Sequence, residues 1–156
     1  MRDDSAPVID ATSASASICA YRALVLVRFA HCDPAGMVFF PRYMEMFNNL
    51  VEDWCCKELQ ISFAEMHLER GWGLATTHLD VNFVAPSYLG EELSATLEVR
   101  KIGTSSVRLD IALRGIEGGV RVRGQMVLVM IDMKSKRARS LPNDVRERMA
   151  VFQAES

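Results

Sequence analysis

Between Leu93 and Arg100 apolar and polar residues alternate, with Leu93, Ala95, Leu97 and Val99 on one side and Ser94, Thr96, Glu98 and Arg100 on the other. A period of two predicts a half-buried strand, because successive side chains point to opposite faces. Val107, Leu109, Ile111 and Leu113 repeat the pattern after Gly103-Thr104-Ser105, and Gly118-Gly119 marks a hairpin turn. The strand that follows, residues 120–133, is apolar on both faces over 126–131, which predicts cover on both sides. Upstream, residues 73–84 read as a long strand entering the break Ala85-Pro86-Ser87, and residues 21–29 as the first strand.

The period changes in between. Tyr43, Phe47, Leu50, Val51 and Trp54 recur at helical spacing, so a long helix is expected from Pro41 to about Leu59. With Met44 and Met46 they make a broad apolar surface, suited to being wrapped by a sheet. Residues 61–70 predict a short helical segment ended by Gly71, and Val145, Met149 and Phe152 share a helical face after Pro142. One long helix followed by consecutive antiparallel strands argues an α+β fold, a curved sheet packed on the helix. Residues 1–18, rich in Ser, Ala and Asp, are expected to be a disordered tail, leaving 19–156 as a single domain.

Composition narrows the function classes. The 156 residues suit one domain, which buries about 70% of its extended-chain surface. They are 49% hydrophobic and 24% charged, with net charge −2, so no basic excess points to nucleic acid. No apolar run approaches the roughly 18 residues of a membrane span, and no apolar stretch at the start suggests a secretory signal. Cys19, Cys32, Cys55 and Cys56 lack zinc-ligand spacing, and the neighbours Cys55 and Cys56 cannot readily form a relaxed bridge. Reduced thiols and a cytoplasmic location are expected.

The candidate chemistry lies between the first strand and the helix, in Phe29-Ala30-His31-Cys32-Asp33-Pro34-Ala35-Gly36-Met37-Val38-Phe39-Phe40-Pro41-Arg42-Tyr43. Asp33-Pro34-Ala35-Gly36 is a break that sets a carboxylate close to the N-terminal end of the helix. Free N–H groups there can stabilise a developing oxyanion. A carboxylate beside an oxyanion site suits acyl transfer or hydrolysis. By itself the same Asp33 also fits a plain Asp-Pro turn that bonds nearby backbone N–H groups.

The run from Asp33 to Tyr43, followed by a long apolar helix, closely resembles the signature of 4-hydroxybenzoyl-CoA thioesterases, which are hotdog-fold acyl-CoA thioesterases. The resemblance implies the hotdog fold and hydrolysis of an acyl- or aroyl-CoA. It also implies no cofactor beyond the coenzyme A of the substrate, and a homodimer that stacks into a tetramer. It assigns Asp33 as nucleophile or general base, and the backbone N–H of Phe40 as the donor that polarises the thioester carbonyl. Gly36 would permit the close turn that admits substrate. His31 departs from the family pattern, which has a second aspartate there. In extended chain His31 could share the face of Asp33 and orient its carboxylate or shift its pKa, and the departure puts an aryl substrate in doubt.

Other candidates are weaker. Met37, Phe39, Trp72 and Leu74 could line an acyl pocket or simply belong to the core. The basic residues the family carries on a hairpin reduce here to Arg100, Lys101 and the nearby Arg108, with Lys134, Lys136, Arg137 and Arg139 as a second basic run for coenzyme A phosphates. A second thioesterase class takes its carboxylate from the central helix, but Glu45, Glu52 and Asp53 read here as a polar stripe. His67 and His78 read as structural, and three dispersed histidines predict no metal site. Two competing readings remain: a hotdog hydratase or dehydratase using His31 with Asp33, and a non-catalytic acyl-CoA-binding module.

Overall fold

The computed structural model describes residues 19–155, so the tail expected over 1–18 lies outside the described residues. Strands β1 (Tyr21–Leu26), β2 (Trp72–Phe83), β3 (Glu92–Ile102), β4 (Ser106–Gly115) and β5 (Val120–Asp132) form one sheet in the order β1-β3-β4-β5-β2. Every neighbouring pair is antiparallel. Helix α1 (Phe40–Lys57) lies against the sheet's inner face, and a short helix α2 (Asn143–Ala150) packs beside β3. This is the hotdog arrangement, a long helix wrapped by a curved antiparallel sheet. Among the described residues no helix is long and apolar enough to cross a membrane.

The periodicities explain the layers. α1 buries Tyr43, Met46, Phe47, Leu50, Val51, Trp54 and Cys55 on one face. β3 and β4 turn Leu93, Leu97 and Val99 and Val107, Leu109 and Leu113 toward it, all fully buried. Each such side chain contributes about 1.5–3 kcal/mol on leaving water. The helix reaches the sheet at Gly124 of β5, where a Cβ would stand 2.8 Å from Phe47 Cε2 and 2.9 Å from the Asp80 carbonyl oxygen. Only glycine lets the backbone come that close.

Several expectations are corrected. The first strand stops at Leu26, not Phe29: the Val27 N–H and C=O bond to Glu91 and Gly90, and Phe29–His31 then form a 3-10 turn with Phe29 exposed. β3 is more than half-buried, since Thr96 and Glu98 on its polar side are also covered. Arg114 from β4 donates to Thr96 Oγ1 at 3.1 Å and Arg100 reaches Glu98, so long arginine stems lie over that face. In β5, Met126, Leu128 and Met130 are buried while Val127, Val129 and Ile131 are only half-buried, so the outer face is not fully covered. The segment after α1 is a π-helical turn, Glu65–Glu69, and the chain turns out of it at Gly71 with φ of +66°.

β2 is an edge strand paired only with β5, with a register shift between Thr76 and His78. Its inward row is open: Leu79 and Phe83, opposite the buried Met126 and Val122, are 37% and 52% exposed.

Candidate active site

Residues 31–39 form a miniature hairpin that ends where α1 begins. Cys32 bridges Val38, the Asp33 N–H donates to the Met37 carbonyl at 2.9 Å, and the Phe39 N–H donates to the His31 carbonyl at 2.9 Å. Gly36 makes the turn possible by adopting φ of +78°, a region most side chains avoid. Asp33 Oδ1 accepts from the Ala35 N–H at 2.9 Å and the Met37 N–H at 3.4 Å, which fixes one oxygen of the carboxylate. The side chain stays half-buried, with the rim of the turn in solvent.

The chain enters α1 directly from this hairpin. Phe39 is extended at the N-cap, Pro41 offers no N–H, and the Arg42 N–H is taken by the Phe39 carbonyl at 2.8 Å. The Phe40 N–H has no acceptor among the described residues. An unpaired donor at a helix N-terminus carries the positive end of the helix dipole and suits an anionic oxygen. A carboxylate held by its own turn and a free N–H therefore sit seven residues apart in the chain, on one hydrogen-bonded unit.

The loop between β2 and β3 braces that unit. The Val38 N–H donates to the Ser87 carbonyl at 2.9 Å, and the Leu89 N–H to the Gly36 carbonyl at 3.0 Å. Within the core, the Tyr43 hydroxyl donates to Ser87 Oγ at 2.9 Å, and both residues are buried. Arg121 ties the same loop to the β4–β5 hairpin through the Pro86 carbonyl at 3.0 Å, Glu91 at 2.7 Å and Glu117 at 2.8 Å. Sequence reasoning missed these braces. One signal was available: a tyrosine on an apolar helical face needs a partner for its hydroxyl.

Beside the free N–H stands an apolar wall. Phe40 meets Phe39 edge-on at 5.4 Å and Phe83 at 6.1 Å, and Tyr43 lies 5.9 Å from Phe83. Phe39, Phe40 and Phe83 remain 49%, 60% and 52% exposed, and Met37 at the turn is half-buried.

His31 does not turn its ring to Asp33. Its Nδ1 accepts the Arg28 N–H at 2.9 Å, and the ring lines a cavity of about 320 Å³ between β1 and α1 with Asn49 and Asp53. Burial pushes the imidazole pKa down from its ordinary 6.5, partly countered by Glu45. A neutral ring is also what that Nδ1 acceptor bond requires. His31 thus reaches the site through its backbone carbonyl, which holds Phe39.

The other candidates lie elsewhere. Trp72 and Leu74 begin β2, whereas Phe83 ends it; eleven strand steps at about 3.3 Å separate Trp72 from Phe83 by roughly 35 Å. Expected in one acyl pocket with Asp33, they stand at the opposite end of the same chain. Arg100 and Lys101 flank the β3–β4 hairpin at that far end too, since Ser106 pairs with Val129 and Val129 with Ala75. Arg100 is already bound by Asp110 at 2.5 Å and lies 3.5 Å from Glu98.

Glu45, Glu52 and Asp53 are exposed on α1 as a polar stripe, with Glu45 paired to Arg42 and Asp53 to Lys57. His67 Nδ1 bonds the Phe63 carbonyl, and His78 is exposed on β2. The cysteines are free, and burial pushes the Cys55 thiol up to about 12, which leaves it inert. Among the described residues no group of three His, Cys, Asp or Glu is placed to hold a metal ion.

Comparison with known proteins gives a consistent result. The sequence profile of the thioesterase-like superfamily matches residues 27–149. A 1,4-dihydroxy-2-naphthoyl-CoA hydrolase of Thermosynechococcus vestitus is 29% identical over 96 residues, covering 62% of this chain and 64% of that protein. The crystal structure of a 1,4-dihydroxy-2-naphthoyl-CoA thioesterase from Synechocystis superposes with a TM-score of 0.76 at 21% identity, covering 84% of this chain and 96% of that one. A Staphylococcus aureus protein solved in complex with CoA superposes with a TM-score of 0.79 at 15% identity, covering 88% and 87%.

Proposed function

The chain belongs to the thioesterase-like superfamily, and we propose that it hydrolyses an acyl- or aroyl-coenzyme A thioester to the free acid and coenzyme A, as a homodimer, with Asp33 and the Phe40 N–H as its catalytic groups. The observation that carries this reading is the joining of the Asp33 carboxylate and the unpaired Phe40 N–H on one braced hairpin at the start of α1. The thioester carbonyl oxygen accepts from the Phe40 N–H, so charge that develops there meets an oriented donor and the helix dipole. Asp33 then acts by one of two routes. As nucleophile it adds to the carbonyl carbon, expels coenzyme A thiolate and leaves a mixed anhydride that water cleaves. As general base it takes a proton from water while that water adds, and the thiolate leaves from the tetrahedral intermediate. Neither route calls for a metal or redox group.

What one chain leaves open supports the dimer. Leu79 and Phe83 on the inward row of β2 and the neighbouring rings of Phe39 and Phe40 are exposed apolar side chains, of the kind that mark an interface when they cluster. β2 is also an unpaired edge twelve residues long. Antiparallel pairing of two such edges about their midpoint sets Trp72 of one chain opposite Phe83 of the other. The far-end candidates then meet the partner's Asp33 hairpin, and a dimer of dimers extends the same scheme.

A hydratase needs a histidine and a carboxylate acting as one pair, and the His31 ring is instead engaged by the Arg28 N–H. The test is a panel of benzoyl-, hydroxynaphthoyl- and fatty acyl-CoA with a thiol-trapping reagent. Release of coenzyme A with turnover is expected. Hydration of an enoyl-CoA without thiol release, or saturable binding without turnover, would overturn the reading.

A further inference from the structure

Tyr43 and Ser87 come from distant parts of the chain and meet inside the core. The Tyr43 hydroxyl donates to Ser87 Oγ at 2.9 Å, and the two residues are 5% and 0% exposed, so each hydroxyl depends on the other. Tyr43 sits on the first turn of α1, the turn that carries the Phe40 N–H, and its ring lies 5.9 Å from Phe83. Ser87 lies in the β2–β3 loop, and its carbonyl accepts the Val38 N–H at 2.9 Å. One residue therefore grips the helix with its side chain and the Asp33 hairpin with its backbone. Its neighbours widen the grip: Tyr88 bridges Met37, and the Leu89 N–H donates to the Gly36 carbonyl at 3.0 Å.

The Asp33 carboxylate and the Phe40 N–H are thus joined by two routes. The first is the chain itself, folded by the Cys32–Val38 bridge and the bond from the Phe39 N–H to the His31 carbonyl. The second leaves α1 through Tyr43, crosses to Ser87 and returns through Val38 and Gly36. A hairpin held by the first route alone can swing about Phe39, the extended residue at the N-cap, and carry Asp33 away from the donor. A displacement of about 1 Å between reacting groups can cost on the order of 10²-fold in rate. Packing alone does not require the bond. A phenylalanine and an alanine would fill nearly the same space without burying two hydroxyls.

We propose that Tyr43 and Ser87 are positioning residues for the hydrolysis: their hydrogen bond sets the distance between the Asp33 carboxylate and the Phe40 N–H, and neither side chain touches the thioester. This rests on the thioesterase reading above. Because both act through the hairpin, their loss slows the chemical step and spares substrate binding. The loop itself does not depend on the bond, since Arg121 holds its other flank through the Pro86 carbonyl and Glu91.

The test is steady-state kinetics on the full chain, with whichever acyl-CoA of the panel above the wild type turns over fastest. Y43F and S87A should each lower kcat about tenfold and leave KM within about twofold. The double variant Y43F/S87A separates positioning from stability. It leaves no buried hydroxyl unpaired, so its melting temperature should recover above that of either single variant. Its kcat should stay as low as theirs, because all three lack the same bond. The double variant also remains informative if a single one misfolds. Amide hydrogen exchange gives a readout independent of turnover: the Val38 and Leu89 N–H groups should exchange at least about tenfold faster in every variant, a larger gain than along β4. Single variants with wild-type kcat, or a double variant that regains kcat together with its melting temperature, would overturn the positioning role while the thioesterase reading stands. Unchanged exchange at Val38 and Leu89 would overturn it whatever the activity. Release of no thiol from any acyl-CoA by the wild type would instead overturn the thioesterase reading.

Discussion

The two ends of the sheet are built for different tasks. At one end the chain is tightly cross-linked around Asp33: a glycine turn, a hairpin pinned to the β2–β3 loop, a buried Tyr43–Ser87 bond and a free Phe40 N–H beside exposed aromatic rings. At the other end the loop after β5 is hydrogen-bonded to the sheet, but the surface offers charge: Trp72 under Arg139, with Lys134, Lys136 and Arg137 in no ion pair among the described residues. Reactive groups need fixed positions and a dry wall, because positioning and preorganised donors lower the barrier. A nucleotide needs charge that stays in water. The two ends stand roughly 35 Å apart along β2. In the proposed dimer a second copy, running the other way, brings unlike ends together.

The largest effect is expected at the Asp33 end. D33N keeps the size of the side chain and its accepting oxygen for Ala35, and should lower kcat by about 10²–10⁴-fold with an unchanged melting temperature. Steady-state thiol release checks it, and more than half of wild-type turnover would remove Asp33 from the mechanism. T77K acts on the link between the ends. Thr77 is exposed and skipped by the β5 register, so a lysine there disturbs little within one chain. Across a β2–β2 axis that sets Trp72 opposite Phe83, it lies opposite His78 of the partner subunit and diagonal to its own copy, and the dimer dissociation constant should rise at least about tenfold, read by sedimentation.

G124A tests the scaffold between the ends. The added methyl meets Phe47 and the Asp80 carbonyl at under 3 Å, and the cost should be about 1–3 kcal/mol in chemical denaturation. The smallest effect concerns His31. Its pKa is lowered in the folded protein, so the unfolded chain binds the proton more readily. Its contribution to stability is present above the ordinary value of 6.5 and is lost as pH falls through the folded pKa. Thermal midpoints should drop between about pH 7.5 and 5.5, and H31Q should flatten that drop by on the order of 1–2 °C.

The sequence made the fold readable where one period dominated. The helical spacing of Tyr43, Phe47, Leu50 and Trp54 and the alternation in β3 and β4 depend only on which residues face the core. The break at Asp33 was readable as well, because Pro34 fixes φ and Gly36 permits conformations other residues avoid, although the hairpin built around it was not. Errors arose where a property depends on distant neighbours. Phe29 looks like strand but lies beyond the last contact with β3. Thr96 and Glu98 look solvated until Arg114 of the adjacent strand and Arg100 of the same strand cover them. His31 lies two residues from Asp33 in sequence, yet its ring meets the Arg28 N–H and lines the cavity between β1 and α1. Trp72 and Leu74 have the right chemistry for a pocket, but no local pattern says which end of a strand, or which copy of the chain, a residue serves.

Whether two chains complete each site is read from activity per chain on dilution, followed alongside the dimer fraction by sedimentation velocity on the same samples. Thiol release per chain should fall in proportion to the dimer as the protein is diluted, and T77K should move both curves together to higher concentration. A well-folded monomer with full activity per chain would show instead that one chain suffices.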